Sequence, residues 1–351
     1  MRRAPTEAHR DDALRAVILL LLVAAFLLTA IAAWAIAWEA THPPRRTAGW
    51  ALANGLAIDP GECGLEFTEW WLDRKRGGRL PVWDVTLDGP PAAPTVVVIH
   101  GWGRSRIDSL ARLRAFLELV PRRFSRALML DLAGHGESEG CLSTLGDGDE
   151  EDVLAMIATA KLDRAFLLGH SMGAVVALAA AAEMPEPAGS RGGREAAPAP
   201  GHGPAAAILG AIAVAPYEEL AIPLVGRLRA RKIPARPFAD LALFGLRLLR
   251  GIRPRRTSAA AAQVGAPIAI LCGAGDVVAP IEGARSIAAA VPDPPGALFL
   301  PLGAAPHAAG LEALDAGGTR SLRAFVHRCI APAGSDPPDG SDPPDGGDGR
   351  T

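Results

Sequence analysis

Residues 17–38 form an apolar run of 22 whose only polar side chain is Thr29. About 20 apolar residues cross a bilayer as a helix, so the run predicts a transmembrane helix. Trp34 and Trp38 lie at its end, where amphipathic rings favour the membrane interface. Residues 39–64 read as a linker, with Thr41-His-Pro-Pro-Arg-Arg46 as a proline-broken exit. Short strand-like runs at 66–72 and 80–87 flank Arg76-Gly-Gly-Arg79 and predict a hairpin. Residues 94–99 are β-branched after an opening proline, the pattern of a strand buried on both faces.

Helical and strand patterns then alternate. Helices are expected at 109–119, 149–160 and 172–182, and strands at 125–131, 165–168, 206–213 and 267–271. Such alternation predicts an α/β fold with a mainly parallel sheet flanked by helices. The alternation pauses over 217–263, which reads as a short helical cap of two amphipathic helices. Residues 185–204, rich in Pro, Gly and Ala, read as a flexible insertion. A last helix near Arg323 and His327 closes a domain spanning 65–330, and 331–351, with its tandem Ser-Asp-Pro-Pro-Asp-Gly, reads as a disordered acidic tail.

Charge changes the picture at two points. The 36 Lys and Arg against 38 Asp and Glu leave a net charge of −2. This argues against a nucleic-acid partner, which calls for an excess of positive charge. Within the basic segment 1–16, Arg2, Arg3, Arg10 and Arg15 precede the apolar run, and only Arg45 and Arg46 follow it closely. Counted by the positive-inside rule, this is a single-pass anchor with an extracytoplasmic domain. The competing reading is a cleaved signal with Ala33-Trp34-Ala35 at the cut, although a signal's apolar region spans only about 7–15 residues. Cys63, Cys141, Cys272 and Cys329 form no CxxC pair and no metal-ligand spacing, so neither a zinc site nor a dense disulfide framework is expected.

The sharpest chemical signal is Gly169-His170-Ser171-Met172-Gly173, a G-x-S-x-G pattern at an expected strand-to-helix junction. A serine projecting from so tight a turn needs neighbours without Cβ atoms, which Gly169 and Gly173 supply. The helix after it offers its N-terminus to developing negative charge. His100-Gly101-Trp102-Gly103 follows the first buried strand, where the N–H groups of Trp102 and Met172 can form an oxyanion hole. Asp131 opens Asp131-Leu-Ala-Gly-His-Gly-Glu-Ser138 after the next strand and reads as a turn-stabilising carboxylate.

On these motifs the chain resembles the α/β-hydrolase superfamily over roughly 66–330, specifically the serine hydrolases with a short cap and an N-terminal membrane anchor. The resemblance implies a nucleophile at Ser171, an acid at Asp276 in Cys272-Gly-Ala-Gly-Asp276, and a base at His307 in Ala305-Pro306-His307. Ser, Asp, His is the chain order of that fold. Glu218 or Glu219 is the alternative acid and His327 the alternative base. His100, His135 and His170, with Gly101, read as supporting residues. No metal or organic cofactor is implied.

The expected activity is cleavage of a carboxylic ester, thioester or related acyl compound through an acyl-enzyme on Ser171. Acyltransferase and peptidase chemistry use the same residues, and a non-catalytic binding or scaffold protein on the fold is the rival from another class. The partner is a small acyl substrate. The basic residues from Arg227 to Arg256 would suit a lipid-like one with an anionic head group.

Overall fold

The structure is a computed structural model and describes residues 7–183, 206–292 and 296–331. The expected insertion at 185–204, the tail from 332 onward and the first six residues lie outside the described residues. A long helix, α1 (Glu7–Thr41), is followed by α2 (Ala48–Ala53) and the strands β1 (Phe67–Asp73), β2 (Arg79–Thr86) and β3 (Thr95–Ile99). Then come α3 (Arg106–Leu119), β4 (Arg126–Leu130), α4 (Asp149–Thr159), β5 (Arg164–His170), α5 (Met172–Glu183) and β6 (Ala207–Val214). Three helices, α6 (Ala221–Ala230), α7 (Phe238–Arg250) and α8 (Thr257–Ala261), separate β6 from β7 (Ile268–Cys272). The chain continues through α9 (Ile281–Ala290), β8 (Ala297–Pro301) and α10 (Ala316–Ile330).

The eight strands form one sheet in the order β1-β2-β4-β3-β5-β6-β7-β8. β1 and β2 are an antiparallel hairpin, and β2 runs antiparallel to β4. From β4 to β8 every pairing is parallel. Parallel strands need helical crossovers that cover both faces, which is why β3, with Val96, Val97, Val98 and Ile99 fully buried, is apolar on both sides. Val97 and Ile99 belong to the core layer that receives α4, α5 and α9, whereas Val96 and Val98 belong to the layer that receives α3 and α10.

β8 and α9 were not evident in the hydrophobic pattern. β8 is the sheet's last strand and only Leu300 in it is buried. Its apolar run, Ala297-Leu-Phe-Leu300, is only four residues long between Gly296 and Pro301, too short for its pattern to separate strand from other structure. α9 is short, Ala-rich and buries only Ile281, Ala284 and Ile287. Residues 39–64, expected as a linker, are docked on the domain. Arg46 pairs with Asp108 at 2.6 Å, the Arg45 guanidinium donates to the Ser138 carbonyl at 2.6 Å, and Ala51 is fully buried.

Over 217–263, α6 and α7 are the two helices above the strand ends, while α8 packs on α5 and α9. α1 extends past the apolar run at both ends. Its C-terminal part lies along α7, with Ala37 and Ala40 in one apolar cluster with Leu145 and Leu246. The Trp102 indole N–H donates to the Ala40 carbonyl at 2.8 Å, and Glu39 pairs with Arg231 at 2.6 Å.

Candidate active site

β5 ends at His170 and α5 begins at Met172, which leaves Ser171 alone in the turn at φ +54°. A non-glycine residue in this left-handed region costs on the order of 1–3 kcal/mol. The fold meets that cost by clamping the turn. The Ser171 N–H donates to the Val214 carbonyl of β6 at 2.8 Å, and α5 starts beneath it. A Cβ at Gly169 would strike the Gly173 carbonyl, and one at Gly173 would strike those of Ile99 and His100. The strand, the turn and the helix therefore approach one another more closely than any side chain would permit.

Asp276 sits in the loop after β7 with its side chain 1% exposed. Its Oδ1 accepts from the N–H groups of Val278 and Ala279 at 2.9 and 2.7 Å. That leaves Oδ2 to face His307 Nδ1 at 2.7 Å. With a carboxylate as acceptor, Nδ1 carries the proton and Nε2 presents its lone pair. Nε2 lies 2.9 Å from Ser171 Oγ. Three loops, after β5, β7 and β8, thus bring the three expected residues into one hydrogen-bonded line.

The alternatives are engaged elsewhere. Glu218 accepts from the N–H and hydroxyl of Ser258, and Glu219 pairs with Arg256 at 2.5 Å. His327 lies on α10, where burial and the positive charges of Arg123 and Arg323 lower its pKa.

The supporting histidines are buried and neutral. Burial lowers the pKa of His100 to about 4, and those of His135 and His170 fall well below the ordinary 6.5 for the same reason. His100 donates from Nδ1 to the Gly101 carbonyl at 2.9 Å and accepts the Leu132 N–H at Nε2, at 3.0 Å, so it ties the glycine turn to the strand end beside it. His170 donates from Nε2 to the backbone carbonyl of His307 at 2.9 Å. The residue beside Ser171 therefore holds the loop of His307, a role that no local pattern announces. Asp131 accepts from the N–H groups of Arg106 and Glu137 at 2.7 and 2.9 Å, and burial pushes its carboxyl up to about 6.

Trp102 and Met172 line the pocket with Ser171, and among the described hydrogen bonds neither backbone N–H is engaged. A Cβ at Gly101 would come within 3.0 Å of the His170 carbonyl, so the glycine turn reaches the nucleophile. The pocket is narrow, about 50 Å³, and its walls are mostly apolar. Sequence reasoning missed several of its residues. Ile36, Glu39 and Ala40 come from α1 and Leu220 and Leu224 from the start of the cap, whereas Arg227, also in the wall, is one of the basic cap residues expected to suit an anionic head group. The Arg227 guanidinium stacks on the Trp102 ring at 3.9 Å. The only hint was that the polar Glu39 directly follows an apolar run. Among the described residues no group of three or more His, Cys, Asp or Glu is arranged to hold a metal ion.

Comparison with known proteins agrees with this architecture. The esterase Pf2001 of Pyrococcus furiosus superposes with a TM-score of 0.59 at 19% identity, covering 82% of this chain and 100% of that one. A bacterial membrane phospholipase A superposes with a TM-score of 0.51 at 18% identity, covering 91% and 99%. At such identities the likeness concerns the fold. By sequence, the chain is 40% identical over 112 residues to a dihydrolipoyllysine-residue acetyltransferase component of the acetoin cleaving system from Pseudomonas putida, covering 31% of this chain and 28% of that protein. It is 27% identical over 155 residues to the sn-1-specific diacylglycerol lipase ABHD11 of Mus musculus, covering 44% and 47%. The chain thus spans less than half the length of the curated relatives it matches. The sequence profile of the alpha/beta hydrolase family matches residues 96–317, from β3 to the start of α10, and the chain belongs to that family.

Proposed function

We propose that the protein is a membrane-anchored serine hydrolase that cleaves an acyl ester or thioester through an acyl-enzyme on Ser171. The observation that carries this reading is the Ser171–His307–Asp276 line, at 2.9 and 2.7 Å, at the floor of an apolar pocket. Ser171 Oγ attacks the substrate carbonyl carbon while His307 Nε2 takes the hydroxyl proton. Asp276 holds the imidazole in the correct tautomer and stabilises its charged form. The Trp102 and Met172 N–H groups receive the oxyanion, typically the largest single contribution to such a barrier. Collapse expels the alcohol or thiol, which takes the proton from His307. Water, deprotonated by the same histidine, then attacks the acyl-enzyme and releases the acid and Ser171.

An acyltransferase would differ only in the second acceptor, and the partial similarity to the acetyltransferase component favours testing for one. Similarity to a diacylglycerol lipase and a membrane phospholipase supports a lipid-like acyl substrate. Arg227, with no carboxylate in ion-pair range among the described residues, suits an anionic head group.

The anchor reading rests on α1, the one described helix long and apolar enough to cross a membrane. A signal cut at Ala33-Trp34-Ala35 would leave Ile36, Glu39 and Ala40 in place, so their contacts with Arg231, Trp102 and the pocket are common to both readings. Retention of α1 rests on its apolar run of 22 residues, longer than the roughly 7–15 of a signal peptide.

The test is to label the detergent-solubilised full chain with a fluorophosphonate and locate the adduct by mass spectrometry. The expected adduct is on Ser171 and is lost in Ser171→Ala and His307→Ala. Folded protein that takes no label would bring the non-catalytic scaffold reading to the front.

A further inference from the structure

We infer that α7 is an interfacial helix, seated in the lipid layer on the domain side of the membrane that α1 crosses, and that it sets the pocket against that layer so that acyl lipids enter sideways. This inference rests on the anchored-hydrolase reading above.

α7 has two distinct apolar faces. Ala239, Ala242 and Leu246 are buried, and the helix packs along α1. Leu241, Phe244, Leu248 and Leu249 are 42%, 62%, 69% and 79% exposed, and nothing among the described residues covers them. Outside α1, nine large apolar side chains are exposed among the described residues; four of them lie on α7, and a fifth, Ile233, precedes it. Such a concentration on one amphipathic helix has to be covered by something apolar.

The depth at which α7 meets α1 identifies the occupant. On α1, Ala33 and Ala40 are buried and Ala37 is half-buried, whereas Trp34 and Trp38 at the same level point outward. Those tryptophans end the apolar run, where aromatic rings collect at the boundary between head groups and acyl chains. A helix rises 1.5 Å per residue, so Ala33 lies roughly 7 Å inside the end of the run. α7 is held at this depth, within the roughly 5–10 Å to which interfacial amphipathic helices sink. Arg247 and Arg250 on α7, with Lys232 and Arg236 just before it, are exposed and suit lipid phosphates.

The pocket completes the geometry. Ile36, Glu39 and Ala40 of α1 form one side of it, so it lies beside the anchor at that same boundary. A substrate resident in the leaflet would reach Ser171 without its acyl chain crossing water.

The full chain would be reconstituted in vesicles of phosphatidylcholine and phosphatidylglycerol. Bimane would be attached at Phe244→Cys in a Cys63→Ser, Cys141→Ser, Cys329→Ser background. Quenching by a nitroxide placed high on the lipid acyl chain is expected. A label that stays accessible to a water-soluble quencher would overturn the inference, as would one shielded from both quenchers, the mark of a second protein copy on this face.

In parallel, Phe244→Asp/Leu248→Asp is expected to lower turnover of a vesicle-borne acyl lipid at least about tenfold, since two apolar contacts with lipid are lost. Turnover of a dissolved short-chain ester should stay unchanged. Equal effects on both substrates, or none, would count against sideways entry. If the unmodified chain turned over neither substrate, the hydrolase reading would fall, while the quenching result would still decide the position of α7.

Discussion

At the scale of single residues, the site depends on a few groups that no substitution reproduces. The Asp276 carboxylate donates nothing and accepts three hydrogen bonds, two from backbone and one from His307. Asp276→Asn would present an amide N–H to Nδ1 or force the wrong tautomer. A fall in kcat of about 10⁴ with little change in KM is expected from steady-state kinetics. Gly173→Ala would drive a methyl group into two backbone carbonyls, and a loss of more than about 3 kcal/mol in denaturant unfolding is expected. Asp149 offers a pH test. It accepts from the Thr144 hydroxyl and the Gly146 N–H, and burial pushes its carboxyl up to about 7. Because the folded pKa lies above the unfolded one, the native state binds the extra proton, and its stabilisation is lost as pH rises toward 7. Relative to Asp149→Asn, the unmodified protein should lose about 2 kcal/mol between pH 5 and 7.5, read by urea unfolding.

At the scale of elements, the central strands and the elbow helix were legible because their period and their burial coincide. β3 reads as a strand because both of its faces are covered, and α5 reads as a helix because it directly follows the glycine-flanked serine. β8 was not legible, since its apolar run of four residues, closed by Pro301, is too short for periodicity to tell a strand from other structure. The junction of α1 with the cap was equally hidden. Its contacts join residues nearly 200 positions apart, as in the Glu39–Arg231 pair. Deleting residues 1–40 would strip Leu246 and Trp102 of their α1 partners. The truncated domain is expected to melt at lower temperature and to aggregate more than one cut after residue 30, compared by scanning calorimetry and light scattering. Arg227→Gln is expected to reduce the preference for anionic over neutral lipid esters while leaving Ser171 reactive toward fluorophosphonate.

At the scale of the whole molecule, α1, the cap and the pocket floor form one unit. α1 walls the pocket, and in the arrangement we infer it also sets the depth of α7. By the charge balance around α1, a C-terminal reporter that folds only outside the cytoplasm is expected to be active in the full chain. It should lose that activity when Arg2, Arg3, Arg10 and Arg15 are replaced by glutamate.

Local chemistry is written in local sequence. The apolar run, the glycines around Ser171 and the two-faced strands each follow from neighbours in the chain. For that reason sequence alone determined the fold class and the candidate nucleophile, while the acid and the base came from the family resemblance with alternatives open. What the tertiary structure decided is what depends on distant segments meeting. It gave Asp276 rather than Glu218 or Glu219 to His307, tied His170 to the loop of the base, and set α1 and Arg227 into the pocket wall. Hydrophobic periodicity records that a face must be buried; it does not record which partner covers it.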